Sequence, residues 1–178
     1  MLVAGTLAAI HYGRLGLALT HYDARAHLVV ARRILDSLVP GWQQIGAVWL
    51  PLPHVLNMLP VQVDAWYRSG ASAIAISVLS MATASWALAR MTLGATGSSS
   101  AALAGVVLMC ANPNVLYLQS TPMTEPLLIG TCLLAVVFTA EWVDGGATLP
   151  PRRAGWAIVA ACLTRYEAWP ICAALIGL

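Results

Sequence analysis

Long stretches without a charged side chain alternate with short polar interruptions along this 178-residue chain. Residues 69–89 and 98–118 carry no charge, and residues 123–142 form a third apolar run with Glu125 near its start. A helix that spans a bilayer needs roughly 20 apolar residues. The pattern therefore predicts three spanning helices, of which the second is broken or kinked near its end by Pro113.

Two further apolar segments lie at the ends of the chain. Residues 154–178 predict a fourth helix that runs to the last residue. At the start, one helix either continues through Arg14 to Thr20 or ends near Tyr12. An arginine in the middle of a span is costly, so we favour the shorter helix.

A polar interval separates the first helix from the second. Residues 24–38 have apolar positions at helical spacing on one face and Arg25, Arg32 and Asp36 on the other, which predicts an amphipathic helix at a bilayer surface. Asp36 is spaced to pair with Arg32. The following stretch, rich in tryptophan and proline up to residue 60, predicts a re-entrant or surface segment.

Composition decides the class of protein. Hydrophobic residues make up 60% of the chain and charged residues 9%, against about 25% charged residues in a soluble domain. We therefore predict an all-α, polytopic transmembrane bundle, with residues 1–178 as one domain and residues 21–67 as its first loop, which the family resemblance described below implies to be extracytoplasmic. The net charge of +2 gives no support to nucleic-acid binding. The four cysteines lie in apolar runs, which favours a packing role.

Counting the predicted crossings assigns charged residues to membrane faces. Two crossings separate Asp23 from Glu125, so both acids are predicted at the same face, while Arg90, Arg152 and Arg153 share the opposite one. The positive-inside rule would make the face with Arg90 cytoplasmic. The loop after Asp23 also holds four arginines, so charge alone leaves the orientation open.

Asp23 is the strongest candidate for acid–base chemistry, because a carboxylate at a membrane rim is placed to accept a proton from a hydroxyl. Glu125, between two prolines at the start of a span, is the second candidate. Both also fit the plain interpretation of an acid favoured at a helix N-terminus. His27 and His54 are candidate ligand contacts, although a structural role is the commoner one. Asp23, His27 and Glu125 could together hold a divalent cation, but no ligand spacing requires it.

Arg165 and Glu167 lie near the middle of the predicted fourth helix. A central arginine needs a partner or an anionic ligand. Pairing with Glu167 is expected to be poor, because residues i and i+2 point apart on a helix. This leaves a phosphate-bearing ligand or an acid from a loop as the partner of Arg165.

The order of these features resembles the GT-C superfamily of integral membrane glycosyltransferases, of the family 39 type that includes protein O-mannosyltransferases and aminoarabinose transferases. The resemblance rests on Arg14 after a first helix, YDAR at residues 22–25, WLPLPH at residues 49–54, Glu125 two spans later, and LTRYE at residues 163–167. It covers nearly the whole chain as the N-terminal part of the family's module.

The resemblance implies an inverting transfer of a sugar from a polyprenyl-phosphate donor to a hydroxyl group of a protein, lipid or glycan, at the outer face of a bacterial plasma membrane. Asp23 would deprotonate the acceptor, Glu125 would line the cleft, and Arg165 would contact the donor phosphate. Further substrate-binding positions are Arg25, His27, His54 and Glu167. Many relatives have a second acid directly after the first, whereas this chain has Ala24, which puts that acidic pair in doubt.

Two other interpretations stay open. Asp23, Glu125 and Arg165 could line the path of a transporter or carrier subunit, although a long structured loop favours the enzyme over a transporter with a midplane site. The chain also ends within an apolar run, from which we expect a longer protein, of which this part could be an inactive fragment.

Overall fold

The computed structural model describes residues 1–146, 148–149 and 151–177, and within these ranges the fold is helical without strands. The predicted all-α class is confirmed. The described helices are α1 (Leu2–Arg14), α2 (Tyr22–Arg33), α3 (Leu52–Asn57), α4 (Asp64–Ser69), α5 (Ala71–Thr96), α6 (Ser99–Ala111), α7 (Pro113–Leu118), α8 (Glu125–Asp144), α9 (Arg152–Cys162) and α10 (Ala168–Ile176). Short 3-10 turns cover Trp42–Ile45 and Pro60–Gln62.

Two described helices, α5 and α8, are long and apolar enough to cross a membrane. They pack side by side in the same direction. Near their starts the Ser77 hydroxyl donates to the Thr121 carbonyl just before α8, at 3.1 Å. In the middle a Cβ placed on Gly130 would lie 2.8 Å from the Ser80 carbonyl oxygen. Glycine is therefore what allows the two backbones to approach so closely.

The second predicted span is two shorter helices. The Asn112 side chain caps α7 by accepting from the backbone N–H of Asn114 at 2.9 Å, and Pro113 occupies the first helical position. This is the break that proline predicts. α7 then packs on α1, where the rings of Tyr117 and Tyr12 meet edge to face at 5.1 Å. α1 itself ends at Arg14, close to the shorter of the two predicted boundaries.

The predicted fourth helix is wrong as one continuous element. α9 ends at Cys162, residues 163–167 form a turn, and α10 begins at Ala168. Pro170 in the first turn of α10 explains the interruption, because proline has no N–H to donate to the carbonyl of residue 166 and its ring clashes with that carbonyl. Arg165 and Glu167 therefore lie in a turn and not in the middle of a helix.

Ion pairs at both ends of α8 fix the position of α9 along it. Glu141 near the end of α8 pairs with Arg90 of α5 and, at 3.0 Å, with Arg153 of α9. Glu125 at the start of α8 pairs with Arg165 at 2.9 Å. α9 is therefore antiparallel to α8, and its turn returns the chain to the end of the bundle where α5 and α8 begin.

The amphipathic helix ends earlier than predicted, since α2 stops at Arg33. The predicted contact between Arg32 and Asp36 forms at 2.8 Å, and Arg32 also reaches Asp64 at 2.7 Å. The apolar face packs inside the protein, where Leu28 and Ala31 contact Val61. This packing carries the face of α2 that bears His27 towards α3.

Candidate functional site

Two buried histidines form the centre of the site. Nδ1 of His27, on α2, lies 3.1 Å from Nε2 of His54, on α3. Nδ1 of His54 lies 3.1 Å from the backbone carbonyl oxygen of Leu50. Since a carbonyl can only accept, His54 donates from Nδ1 to Leu50.

Burial keeps both histidines neutral. Burial, with smaller contributions from the nearby His54 and Arg165, lowers the pKa of His27 to about 3. Burial also lowers the pKa of His54, although the hydrogen bond to Leu50 raises it in part. Desolvation disfavours the charged imidazolium, so at neutral pH neither ring carries a positive charge.

The half-buried indole of Trp49 covers the histidine pair. Its ring centroid lies 4.6 Å from that of His27 and 5.8 Å from that of His54, to which it is stacked. Trp49 belongs to the segment between the 3-10 turn Trp42–Ile45 and α3. The three rings, inclined to one another by 29° to 46°, together provide an aromatic wall with polar edges.

Arg165 is the second centre, and it is held by two acids. Its Nη1 donates to Glu125 at 2.9 Å and to the Thr124 hydroxyl at 3.1 Å, while Nη2 donates to Glu167 at 2.7 Å. The bond with Glu167 raises the pKa of Arg165, and the same bond lowers the pKa of Glu167. The prediction that Arg165 and Glu167 pair poorly is wrong, because the segment is a turn and both side chains face the same way.

A cavity of about 310 Å³ joins the two centres. Its walls bring together the histidine pair, Trp49 and the arginine turn. The lining residues are His27, Val48, Trp49, Leu50, Pro53, His54, Thr124, Thr164, Arg165, Tyr166 and Glu167. Leu52 N donates to the Leu163 carbonyl at 2.9 Å, which fixes the loop before α3 against the turn after α9. The cavity is therefore lined by a guanidinium, a carboxylate and aromatic rings.

Asp23 lies near this cavity without lining it. It is half-buried in the first turn of α2, where the His21 side chain accepts from its backbone N–H at 3.2 Å. Its charge contributes to the raised pKa of Arg165. Asp23 is thus on the Arg165 side of the bundle, at the same end as Glu125.

Arg25 is directed elsewhere. Its Nε donates to the Leu19 carbonyl at 2.7 Å, and the side chain is exposed and outside the cavity lining. Of the predicted residues, the structure gathers His27, His54, Arg165 and Glu167 around one cavity. Glu125 pairs with Arg165 without lining the cavity, and its Oε2 atom is buried and unpartnered within the described ranges.

The structure does not assemble the candidate metal site. No group of three or more histidine, cysteine or acidic side chains in the described part of the chain is arranged to hold a metal ion. His27 makes its Nδ1 contact with His54, and Glu125 makes its contact with Arg165. The residues present therefore do not form a ready cation site.

The sequence pattern did not identify three residues that contact the two centres of the cavity or lie beside them. Trp49 was assigned to a headgroup zone by its type, and Thr124 and Tyr166 were not singled out. Pro170 is the signal that was available, because a proline there predicts a turn just before it and so brings Tyr166 and its neighbours out of a helix. Comparisons with protein-family models, with curated proteins and with solved structures identify no match.

Proposed function

We propose that the protein is a membrane glycosyltransferase that moves a sugar from a polyprenyl-phosphate donor to a hydroxyl acceptor, with inversion. The observation that carries the proposal is the cavity itself, which is lined by aromatic rings and a guanidinium in a chain with two apolar helices of membrane-spanning length. A sugar joined to a lipid phosphate needs these features, because the ring packs on aromatic faces and the phosphate pairs with arginine.

The donor phosphate binds at Arg165 in this proposal. The guanidinium is already occupied by Glu125, Thr124 and Glu167, so an incoming phosphate has to displace one of them. Glu167 is the one that leaves, since its side chain is 57% exposed whereas that of Glu125 is 29% exposed. Glu125 and Thr124 then keep the guanidinium in place during the exchange.

The reaction takes place at the Arg165 side of the cavity, which is the side on which Asp23 lies. The acceptor oxygen forms a bond to the anomeric carbon of the sugar as the bond from that carbon to the donor phosphate oxygen breaks. Asp23 takes the acceptor's proton, and the electron pair of the broken bond leaves on the phosphate. Arg165 stabilises the negative charge that develops there. Attack from the side opposite the phosphate inverts the anomeric centre.

The proposed setting is a bacterial plasma membrane with the cavity at its extracytoplasmic rim. The apolar helices α5 and α8 support this setting, as does the location of the cavity at the end where both begin. Arg90 and Arg153 meet at Glu141 near the other end. In the proposed orientation these arginines face the cytoplasm, as the positive-inside rule favours.

The test uses the full chain in proteoliposomes with a polyprenyl-phosphate hexose that carries a labelled sugar, and a lipid-soluble alcohol as acceptor. Asp23→Asn is expected to reduce transfer at least about a hundredfold, because a positioned general base contributes that much. Asp144→Asn, at the far end of α8, is the matched control and should retain transfer. Equal transfer by the wild type and Asp23→Asn contradicts the assignment of the base, and absence of transfer by the wild type contradicts the proposed activity of this chain.

A further inference from the structure

One nitrogen of His27 is used inside the protein and the other is open. Nδ1 contacts His54, whereas Nε2 has no hydrogen-bond partner among the described residues. Nε2 is also not one of the enclosed side-chain atoms that lack a partner in this part of the chain. An atom that is neither bonded nor enclosed is accessible, and His27 lines the cavity.

The neighbouring residues decide which nitrogen of His27 carries the proton. His54 donates from Nδ1 to the Leu50 carbonyl at 3.1 Å. A neutral imidazole has one donor and one acceptor, so Nε2 of His54 is left as an acceptor. Its partner, Nδ1 of His27, must then donate, and the lone pair of His27 is on Nε2.

We propose that His54 is a positioning residue that fixes His27 in the Nδ1-protonated tautomer, so that His27 Nε2 accepts a hydrogen bond from a hydroxyl group of a ligand in the cavity. A lone pair repels an anion, whereas a hydroxyl is neutral and can donate to it. The ring of Trp49 lies 4.6 Å from that of His27 and offers an apolar face beside the hydroxyl site. A sugar ring can use both, because it carries hydroxyl groups next to an apolar C–H face.

The identity of the hydroxyl as part of a sugar rests on the proposed function, but the tautomer does not. A buried histidine pair needs its two internal hydrogen bonds in any case, so the feature that points to a ligand is Nε2 of His27, which no described residue contacts. His54 is 1% exposed and His27 is 6% exposed. A buried chain of this kind is specific, since each buried polar atom has to find its partner.

The experiment is nitrogen NMR of the full chain labelled with ¹⁵N-histidine in detergent micelles, with His27 assigned by comparison with His27→Gln. In the wild type we expect Nδ1 of His27 to be protonated, with a scalar coupling across the N–H···N bond to His54. His54→Gln, whose Oε1 takes the position of the accepting nitrogen, should retain the His27 tautomer. His54→Leu, which has no acceptor, should shift His27 towards the Nε2-protonated form.

Ligand binding is tested in the same samples by titration with D-glucose. The Nε2 signal of His27 should move in the wild type and in His54→Gln, and the affinity in His54→Leu should be about fivefold weaker, the value of one neutral hydrogen bond. A wild-type His27 protonated on Nε2 overturns the proposal, even where His54→Leu does not fold. An Nε2 signal that glucose leaves unchanged overturns the hydroxyl contact. Absence of sugar transfer with the expected tautomer and glucose response counts against the transferase alone.

Discussion

At the scale of residues, the site depends on which groups stay charged and which do not. Arg165 remains cationic between two acids, while the histidines 3.1 Å apart remain neutral because they are buried. A neutral imidazole can accept a hydrogen bond from a polar ligand, and the nearby guanidinium disfavours protonation of the imidazole. Two predictions follow from these two groups separately.

The first concerns the acid that occupies Arg165. Glu167→Gln should increase the affinity for inorganic phosphate about threefold, because removing an exposed ion pair releases less than about 1 kcal/mol. Isothermal titration in detergent measures it. Glu141→Gln, which alters the ion pairs at the other end of α8, is the control and should leave the affinity unchanged. Weaker binding by Glu167→Gln, or unchanged binding by Arg165→Gln, would remove the phosphate from this position.

The second concerns pH. His27 has a pKa of about 3 in the folded protein against 6.5 as its ordinary value, so between these limits only the unfolded chain binds the proton. Stability should therefore fall as pH decreases from 6.5 towards 3, by up to about 1.4 kcal/mol per pH unit for this group. Thermal unfolding at a series of pH values should show a smaller slope for His27→Gln. His11→Gln, at an exposed position, should keep the wild-type slope; equal slopes for all three would show that His27 is not the group responsible.

At the scale of elements, close helix contacts determine where the site residues meet. The contact of α5 with α8 at Gly130 and the ion pairs that align α9 with α8 bring residues 124, 125 and 165 to one end. The turn at residues 163–167 then delivers Arg165 and Glu167 to the cavity. A continuous helix would have directed these two side chains apart.

The contact at Gly130 is testable by adding a methyl group. Gly130→Ala places a Cβ 2.8 Å from the Ser80 carbonyl oxygen, so α5 and α8 must separate, at a cost of about 1–3 kcal/mol. Thermal unfolding in detergent measures the change. Gly155→Ala in α9 meets no atom within 4 Å and should be neutral or slightly stabilising, since alanine favours helix. Equal stability of the two variants would mean that α5 and α8 adjust without cost.

At the scale of the whole molecule, the helices that begin or end near the cavity belong to distant parts of the sequence. α2 and α3 supply the histidines, the start of α8 supplies Glu125, and the turn after α9 supplies Arg165. The two long apolar helices run from this end to the one where Arg90 and Arg153 meet Glu141. Asp23 and Glu125 therefore lie at one end of these helices, and Arg90 and Arg153 lie at the other.

Much of this was available from the sequence. The apolar runs predicted helices and the all-α class, Pro113 predicted the break between α6 and α7, and the Arg32–Asp36 spacing predicted an ion pair that forms at 2.8 Å. His27, His54, Arg165 and Glu167 were singled out before their contacts were known. These features depend on neighbours within one or two helical turns, where periodicity and side-chain type are sufficient.

Only the tertiary structure decided the partners. The bond of His27 to His54 spans 27 residues and that of Arg165 to Glu125 spans 40, and no local pattern encodes such distances. The direction of Arg25 towards Leu19 and the addition of Trp49 to the cavity were likewise decided by packing. A sequence specifies which side chains can donate, accept or carry charge. Which of them meet, and in which protonation state, is set by burial and by the path of the backbone between them.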